Sequence, residues 1–346
     1  AVPPRPFADV QPLNLRTAPA QPAAQARHIQ MPNYPVLVEN SDRSNYRVML
    51  WPSFGGADAA VWFNQEYEID PELGSILANH DFRVALSYAT NRDEIRESAF
   101  LGLGEIRQNV PAPWHPYYPG DEYAQKYTEY NPALANQMLD ATGLTKDANG
   151  NRLMPSGKPL RVELSVVPAF GLGVGVAQLV AADWAAVGVP TDVQVRERNA
   201  HFTMRDANEL QVEIWNEDTT AFPFTGNPKI DPRSNPATIF AVESRRWYAS
   251  GGTAGKEPAP GIARIVDIIE QAKTVGVDQQ IELAKELFRH AVDELYGFGL
   301  VGLTPMVQGV VVVNDNLMNV PAVVANDWPL RTPGDSRPEQ FFYKTN

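Results

Sequence analysis

Cysteine is absent from this 346-residue sequence, and basic residues are outnumbered by acidic ones. Without cysteine, the chain can form no disulfide, no thiolate zinc site and no cysteine nucleophile. The 29 Lys and Arg residues against 41 Asp and Glu residues give a formal net charge of -12. This charge would repel a nucleic-acid backbone or an anionic membrane surface, and no cluster of basic residues offsets it. We therefore expect no nucleic-acid partner.

The sequence patterns of common catalytic and cofactor sites are also missing. The histidines never take H-x-x-x-H or H-E-x-x-H spacing, and no G-x-S-x-G turn or P-loop occurs. The stretch Gly171–Gly175 imitates a dinucleotide loop, but Val176 stands where the fingerprint requires glycine. Glu217 and Asp218 would be the carboxylate pair of a glycoside hydrolase, yet neighbours on a strand point to opposite faces. We predict no catalytic residue, no metal site and no cofactor, and keep a glycoside hydrolase as the alternative.

Long apolar runs are limited to 295–313, which glycines and Pro305 interrupt. The run predicts strand, turn and strand, because a membrane helix needs about 20 strongly apolar residues. The first 26 residues are rich in Pro, Ala and Gln and predict a tail or linker with no helix longer than one turn. No basic and apolar leader follows Ala1, so we expect that an export signal, if there was one, has been removed.

Hydrophobic periodicity and helix caps favour an α/β chain. Strands are predicted at 47–51 and 59–64. A helix is predicted at 82–90 after the N-cap Asp81, and another begins at Asn91. The strand-helix-strand order further along predicts a partly parallel sheet. The other predicted elements are a helix after Asn131, strands at 160–167, 191–195 and 210–215, and helices at 176–187, 262–273 and 278–295.

An ordered series of short motifs spans about residues 34 to 310. It begins with Phe63-Asn64 and continues with R-x-A-L-x-Y-A-x-N-R at 83–92. Y-N-P-x-x-A-x-x-M-L-x-x-x-G-L follows at 130–144, then W-x-x-x-G-V at 184–189 and W-N-E-D at 215–218. In this order the motifs resemble those of the family 5 extracellular solute-binding proteins. These are the oligopeptide, dipeptide, nickel and oligosaccharide receptors of bacterial ABC importers.

The resemblance implies an α/β fold with mixed sheets, like the type II periplasmic-binding proteins, and it covers the C-terminal half of such a protein. One complete lobe is expected at 65–300. Residues 31–64 and 301–346 would pair as strands outside this lobe and form part of lobe one, and residues 1–30 would be a Pro/Ala-rich N-terminal segment. A small polar ligand would lie in the interlobe cleft, which closes by hinge motion. The implied partners are ABC permease subunits, and the implied location is the periplasm or another extracytoplasmic space.

Only part of lobe one is expected within this chain. A missing N-terminal half or a second chain would complete it, and a truncated lobe without autonomous ligand binding is a further alternative. We therefore expect exposed apolar side chains at Leu50, Trp51, Val61, Trp62 and 310–313.

The segment Trp215-Asn216-Glu217-Asp218 is the strongest candidate ligand site. It follows a strand, where open α/β sheets bind ligands, and it combines a flat apolar ring with polar acceptors. The resemblance matches Asp218 to the Asp that pairs with the ligand α-amino group in peptide-binding relatives. Thr219-Thr220 departs from the aromatic and acidic residues of those relatives, which favours an oligosaccharide over an oligopeptide. Phe222 and Asn64 complete the candidate set, and the aromatic loop 113–118 either lines the cleft or packs on the surface.

The variant Asp218→Ala tests this site. Trp215 and Asp218 can face one cleft only if the strand bends near Asn216, because odd spacing places them on opposite faces. We expect the variant to weaken ligand binding by about 1–3 kcal/mol. The melting temperature of the free protein should barely change, because an exposed cleft carboxylate contributes little to folding. Calorimetry measures both quantities, and unchanged affinity or a large loss of stability would make Asp218 structural.

Overall fold

The computed structural model describes residues 29, 31–168, 173–217, 219–225, 229–234, 239–306, 309–324, 326 and 336–344. The predicted tail at 1–26 and Asp218 lie outside these residues. The helices are α1 (Tyr34–Glu39), α2 (Ser41–Ser44), α3 (Pro71–Leu77), α4 (His80–Ala89), α5 (Arg92–Phe100), α6 (Asp121–Ala124), α7 (Pro132–Ala141), α8 (Gly173–Ala186), α9 (Arg198–Asp206), α10 (Val242–Ala249), α11 (Pro260–Ala272) and α12 (Val277–Glu294). The strands are β1 (Tyr46–Leu50), β2 (Ala59–Phe63), β3 (Glu105–Ile106), β4 (Val162–Val166), β5 (Thr191–Val195), β6 (Val212–Trp215), β7 (Gly297–Gly302), β8 (Val310–Asn314), β9 (Leu317–Met318) and β10 (Phe342–Tyr343).

Six strands form a mixed sheet in the order β3-β7-β2-β6-β4-β5. Strands β5, β4 and β6 are parallel neighbours, and α8 connects β4 to β5. Strand β2 runs antiparallel to both β6 and β7, and β3 runs antiparallel to β7. The carboxyl ends of β4, β5, β6 and β7 therefore meet at one edge of the sheet. The α/β fold with a partly parallel, mixed sheet is confirmed.

Strand β2 is covered by helices on both faces of the sheet. Val61 and Phe63 belong to a core cluster that includes buried residues of α4, α5, α7 and α8. Ala60 and Trp62 belong to a second cluster with buried residues of α11 and α12. Because successive side chains of a strand alternate between faces, this distribution makes three layers, with the sheet in the middle.

Strands β1 and β8 form a separate antiparallel ribbon, with Tyr46 opposite Asn314 and Leu50 opposite Val310. Both strands predicted before residue 65 are confirmed, but β1 pairs in the ribbon and β2 in the six-stranded sheet. The run 295–313 contributes β7 and β8, and no described helix is long and apolar enough to cross a membrane. The division into lobes at residues 64 and 300 stays a prediction.

The prediction of an exposed apolar patch is wrong. Trp51, Val61, Trp62 and 310–313 are buried, and Leu50 is half-buried. Val310 and Val312 pack into the main core, whereas Trp51, Val311 and Val313 pack with Leu317 and with the half-buried Phe341 and Tyr343. Both faces of the ribbon are therefore covered within the chain, on one side by its C-terminal segment.

Asparagine side chains cap the N-termini of three of the described helices. Asn91 accepts a hydrogen bond from the Glu94 amide at 3.2 Å, which confirms the predicted cap of α5. Asn131 caps α7 in the same way, and α7 packs against α4. The predicted cap Asp81 is wrong: Asn79 accepts from the Phe82 amide at 3.0 Å, and α4 begins at His80. The cap lies two residues earlier because Asn79 has the extended backbone that an N-cap adopts.

The two arginines of the 83–92 motif are structural. Arg83 donates to the backbone oxygens of Glu294 and Leu295, both at 2.8 Å, and so fixes α4 to the end of α12. Arg92 donates to the Gly299 oxygen in β7 at 2.9 Å and to the Ser87 oxygen at 2.8 Å. Both side chains are buried, and desolvation lowers the pKa of Arg92 to about 9. These two motif residues therefore stabilise the fold, because they join α4 to the end of α12 and α5 to β7.

The variant Arg92→Ala should lower the free energy of unfolding by about 2–4 kcal/mol, because buried carbonyl oxygens lose their donors and a cavity forms. Arg96→Ala on the same helix is the control. Arg96 makes ion pairs with exposed Asp93 and Glu97, and its loss should change stability by less than about 1 kcal/mol. Urea unfolding measures both values, and equal effects of the two variants would contradict the structural role of Arg92.

Candidate functional site

A small cavity lies at the edge where β4, β5, β6 and β7 end. Its volume is about 40 Å³, and it is lined by residues that include Asp58, Val167, Trp215, Asn216 and Met306. Asp58 stands just before β2, and Val167 just after β4. Open α/β sheets bind ligands outside the carboxyl ends of their strands. Because typical small-molecule pockets measure about 300–1,000 Å³, this cavity can be only part of a binding site.

Trp215 is the last residue of β6, and its indole is held by two aromatic neighbours. The His201 ring stacks on it with 5.8 Å between centroids and 18° between planes. The Phe202 ring lies 5.5 Å away at 54°. Both neighbours come from α9, so packing fixes the half-buried indole beside the cavity. A ring held in this way loses little conformational entropy when a ligand stacks on it.

A buried polar chain supports the His201 ring. Ser165 Oγ lies 3.0 Å from His201 Nδ1, and His201 Nε2 lies 2.6 Å from Glu213 Oε2. Arg196 Nε donates to Ser165 Oγ at 3.1 Å. The same residue types form the triads of serine hydrolases. Ser165, His201 and Glu213 are each at most 1% exposed, so a substrate has no access to Ser165 Oγ. The chain of hydrogen bonds instead joins α9 to β4 and β6.

Asn216 and Glu217 shape the loop that follows β6. Lys229 Nζ donates to the Asn216 backbone oxygen at 2.6 Å and to its side-chain oxygen at 3.2 Å. The Glu217 amide donates to the Ala57 oxygen at 2.8 Å. The buried Glu217 carboxylate accepts from the amide and hydroxyl of Thr219 at 2.8 and 2.6 Å. Asn216 lines the cavity. The Glu217 carboxylate, by contrast, stabilises its own loop.

Asn64 and Phe222, two other predicted ligand residues, do not line the cavity. Asn64 is fully buried and donates to Asn208 Oδ1 and the Leu210 oxygen, both at 2.7 Å, and accepts from the Glu66 amide at 3.0 Å. Those hydrogen bonds connect the end of β2 to the start of β6. Phe222 is 37% exposed on the loop after β6. Asp218 lies outside the described residues.

The aromatic loop 113–118 contacts both the segment before β2 and the loop after β6. The His115 ring lies 5.4 Å from the Phe54 ring, and the Tyr117 ring lies 6.2 Å from the Phe224 ring. Burial lowers the pKa of His115, which favours the neutral imidazole. Trp114 projects from the same loop and is 57% exposed. The loop therefore presents exposed aromatic surface beside the loop that carries Phe222.

Asp58 is a cavity residue that sequence reasoning missed. Its Oδ2 accepts from Ser53 Oγ at 2.9 Å and from the Thr304 amide at 2.8 Å. Burial raises the pKa of Asp58 to about 6, while these hydrogen bonds and the Arg107 charge act in the opposite direction. The available signal was an acidic residue just before an apolar strand, since a buried carboxylate needs partners. Glu213, within the apolar strand β6, gave the same signal.

Metal ligation finds no support in the part of the chain that the structure describes, because no three His, Cys, Asp or Glu side chains converge there. The described residues at the cavity supply one buried carboxylate, Asp58, and one amide, Asn216. These groups can accept hydrogen bonds from a polar ligand beside the Trp215 ring.

Known proteins share both sequence and fold with this chain. A model of the bacterial extracellular solute-binding proteins, family 5 Middle, matches residues 18–237. The nickel-binding periplasmic protein of Escherichia coli strain K12 is 28% identical over 130 residues, which is 35% of this chain and 24% of that protein. The solved oligopeptide-binding protein OppA is 30% identical with a TM-score of 0.81, and the match covers 93% of this chain and 52% of OppA.

A sugar-bound structure has the same fold at lower identity. The periplasmic binding protein MelB of Agrobacterium fabrum C58, in complex with stachyose, is 15% identical with a TM-score of 0.68. The match covers 93% of this chain and 50% of MelB. The chain thus spans about half the length of these solved relatives, and its sequence match covers about a quarter of the curated one.

The variant Glu213→Ala should lower the free energy of unfolding by about 3 kcal/mol, because it leaves His201 buried without its carboxylate. It should also change the fluorescence of Trp215, whose ring His201 supports. The exposed Glu209, on the turn between α9 and β6, provides the control Glu209→Ala, which should alter neither quantity. Denaturant unfolding followed by tryptophan emission tests this, and an unchanged midpoint for Glu213→Ala would show that the polar chain does not support the site.

Proposed function

The chain belongs to the family 5 extracellular solute-binding proteins, as its motif series predicted, and we propose that it holds a small polar ligand for an ABC importer. The single observation that carries this proposal is the cavity at the carboxyl-end edge of the sheet, where a rigidly supported Trp215 stands beside Asn216 and Asp58. In this proposal the protein acts outside the cytoplasm, delivers its ligand to permease subunits and catalyses no reaction.

We propose further that this chain supplies one wall of the binding cleft. A cavity of about 40 Å³ cannot enclose an oligomeric ligand, which needs several hundred Å³. The solved relatives are about twice as long as this chain. A further segment of the protein or a second chain would supply the opposite wall, and lobe closure would then remove the ligand from water.

The proposed ligand is an oligosaccharide. Exposed aromatic rings at Trp114 and Phe222 lie on two loops whose neighbouring rings, Tyr117 and Phe224, are in contact. Flat rings suit the apolar faces of sugars, and the carboxylate and amide oxygens at the cavity can accept hydrogen bonds from hydroxyl groups. The relatives include proteins of both classes by name: OppA is an oligopeptide-binding protein, and MelB was solved with stachyose.

A thermal-shift and calorimetry screen with stachyose and tri-alanine separates the ligand classes. Stachyose at 100 times its dissociation constant should add about 2.7 kcal/mol to the stability of the folded chain, because it binds only the native state. Binding of tri-alanine without stachyose would assign the site to peptides. Binding of neither compound, in a chain that unfolds cooperatively, would contradict autonomous binding by this wall.

The variant Trp114→Ala should weaken stachyose binding about fivefold to tenfold, since one aromatic stacking contact contributes about 1 kcal/mol. The melting temperature of the free protein should be unchanged, because the side chain is largely exposed. Val277→Ala provides the control, since Val277 is 70% exposed at the start of α12. Isothermal titration calorimetry decides between the outcomes, and equal affinities of the two variants would exclude the loop 113–118 from the site.

A further inference from the structure

Two chain crossings connect the β1–β8 ribbon to the six-stranded sheet. The first crossing, residues 51–58, leads from β1 into β2, and the second, of which residues 303–306 and 309 are described, lies between β7 and β8. Backbone hydrogen bonds join them: the Ser53 amide donates to the Thr304 oxygen at 2.8 Å, and the Trp51 amide donates to the Gly309 oxygen at 2.8 Å. A change in the angle between the ribbon and the sheet would therefore require a change in the backbone of these two crossings.

Asp58 joins the two crossings through its side chain. Its Oδ2 accepts from Ser53 Oγ in the first crossing at 2.9 Å and from the Thr304 amide in the second at 2.8 Å. The same residue lines the cavity with Trp215 and Asn216. One buried carboxyl group therefore contacts both connections and belongs to the candidate ligand site.

We propose that Asp58 is a positioning residue of this site, which links ligand binding in the cavity to the hydrogen bonds of both crossings through the loss or gain of one proton. The ligand part of this inference rests on the proposed function, whereas the link between the proton and the crossings does not. An ionised Asp58 is a stronger acceptor for Ser53 and Thr304, and a protonated Asp58 is better tolerated by burial. A ligand that donates a hydroxyl to Asp58 would favour the ionised form.

The surroundings of Asp58 fix the pH range. Arg107, which follows β3, is the charged neighbour that lowers its pKa, and this buried guanidinium donates to the backbone oxygens of Val110 and Pro111 at 3.1 and 2.6 Å. The acidic residue Glu217 lies in the loop after β6, and its amide donates to the oxygen of Ala57, the residue before Asp58. The groups that α5, α8 and β6 add to the cavity, such as Phe100, Val176 and Trp215, carry no charge. Desolvation of the buried carboxyl group outweighs its hydrogen bonds and the Arg107 charge, and it raises the pKa of Asp58 to about 6.

The direction of the pH effect follows from this raised pKa. In the free protein, the folded state holds the Asp58 proton more tightly than the unfolded state does. The contribution of this proton to the free energy of unfolding is therefore fully present below about pH 4 and is lost as the pH rises through 6. Stachyose that binds the ionised form should release a proton near pH 6. Its affinity should then fall about tenfold from pH 7.5 to pH 5.

A ligand-free NMR titration tests the link to the crossings. In the 346-residue chain, the Thr304 amide resonance should titrate with a midpoint near pH 6, together with the Asp58 carboxyl carbon. In Asp58→Asn the amide should show no such transition. The control is Asp183→Asn, which removes another carboxyl group with a pKa of about 6, one that accepts from the Asn91 amide at 2.8 Å on α8. A Thr304 amide that does not titrate in the natural chain, or still titrates in Asp58→Asn, overturns the inference.

Calorimetry at pH 6 in two buffers of different ionisation enthalpy tests the link to binding. Stachyose binding should release a fraction of a proton from the natural chain and from Asp183→Asn, and none from Asp58→Asn. Equal proton release by Asp58→Asn contradicts the inference while leaving the sugar-receptor function intact. Absence of stachyose binding contradicts the proposed binding of an oligosaccharide by this chain instead, and the NMR titration alone then decides the role of Asp58.

Discussion

Strand β2 is hydrogen-bonded on both edges, to β6 and to β7, and all five of its side chains are buried. It joins the parallel part of the sheet, β6-β4-β5, to the antiparallel part, β7-β3. It also requires apolar cover on both faces, which the helices on either side of the sheet provide. The position of β2 brings its first residue, and Asp58 before it, to the edge where four other strands end.

Burying the sheet on both faces also buries polar groups that must find partners. Arg92 satisfies backbone oxygens in β7 and α4, and the His201–Glu213 pair connects α9 to β6. Asp58 binds both crossings. Unpaired, such groups would each cost several kcal/mol, so every pair fixes the relative positions of the elements it joins. The contacts of His201 therefore hold Trp215 in place, and the hydrogen bonds of Asp58 hold the two crossings together.

Local signals in the sequence were enough to predict most of the elements. Caps at Asn91 and Asn131 and the periodicity of α11 and α12 predicted helices within a few residues of their observed ends. The pairing of β1 with β8, across more than 250 residues, was predicted only from the family resemblance, because nothing local in either strand specifies a partner so distant. The apolar patch was wrongly predicted because its cover is tertiary: Trp51, Val311 and Val313 pack with the C-terminal segment, and the other side chains pack into the cores on the two faces of the sheet.

The candidate site was predicted only in part. A Trp at the end of a strand identified Trp215 and the position where the strand stops, but its support by His201 depends on tertiary packing. Asn64 belongs to a family motif, yet its hydrogen bonds are internal. Asp58 lies in the connection between β1 and β2, and its burial depends on Thr304, which is distant in the sequence. The motif residue Asn64 therefore stabilises the fold.

The claim that the carboxyl-end edge of the sheet is a ligand-binding wall is tested most directly by hydrogen–deuterium exchange of the 346-residue chain with and without stachyose. If the account is correct, stachyose slows exchange in the loop after β6 and in the loop 113–118, and leaves the turn between α11 and α12 unchanged. Slower exchange confined to the α11–α12 turn, with no change at the edge of the sheet, would contradict it.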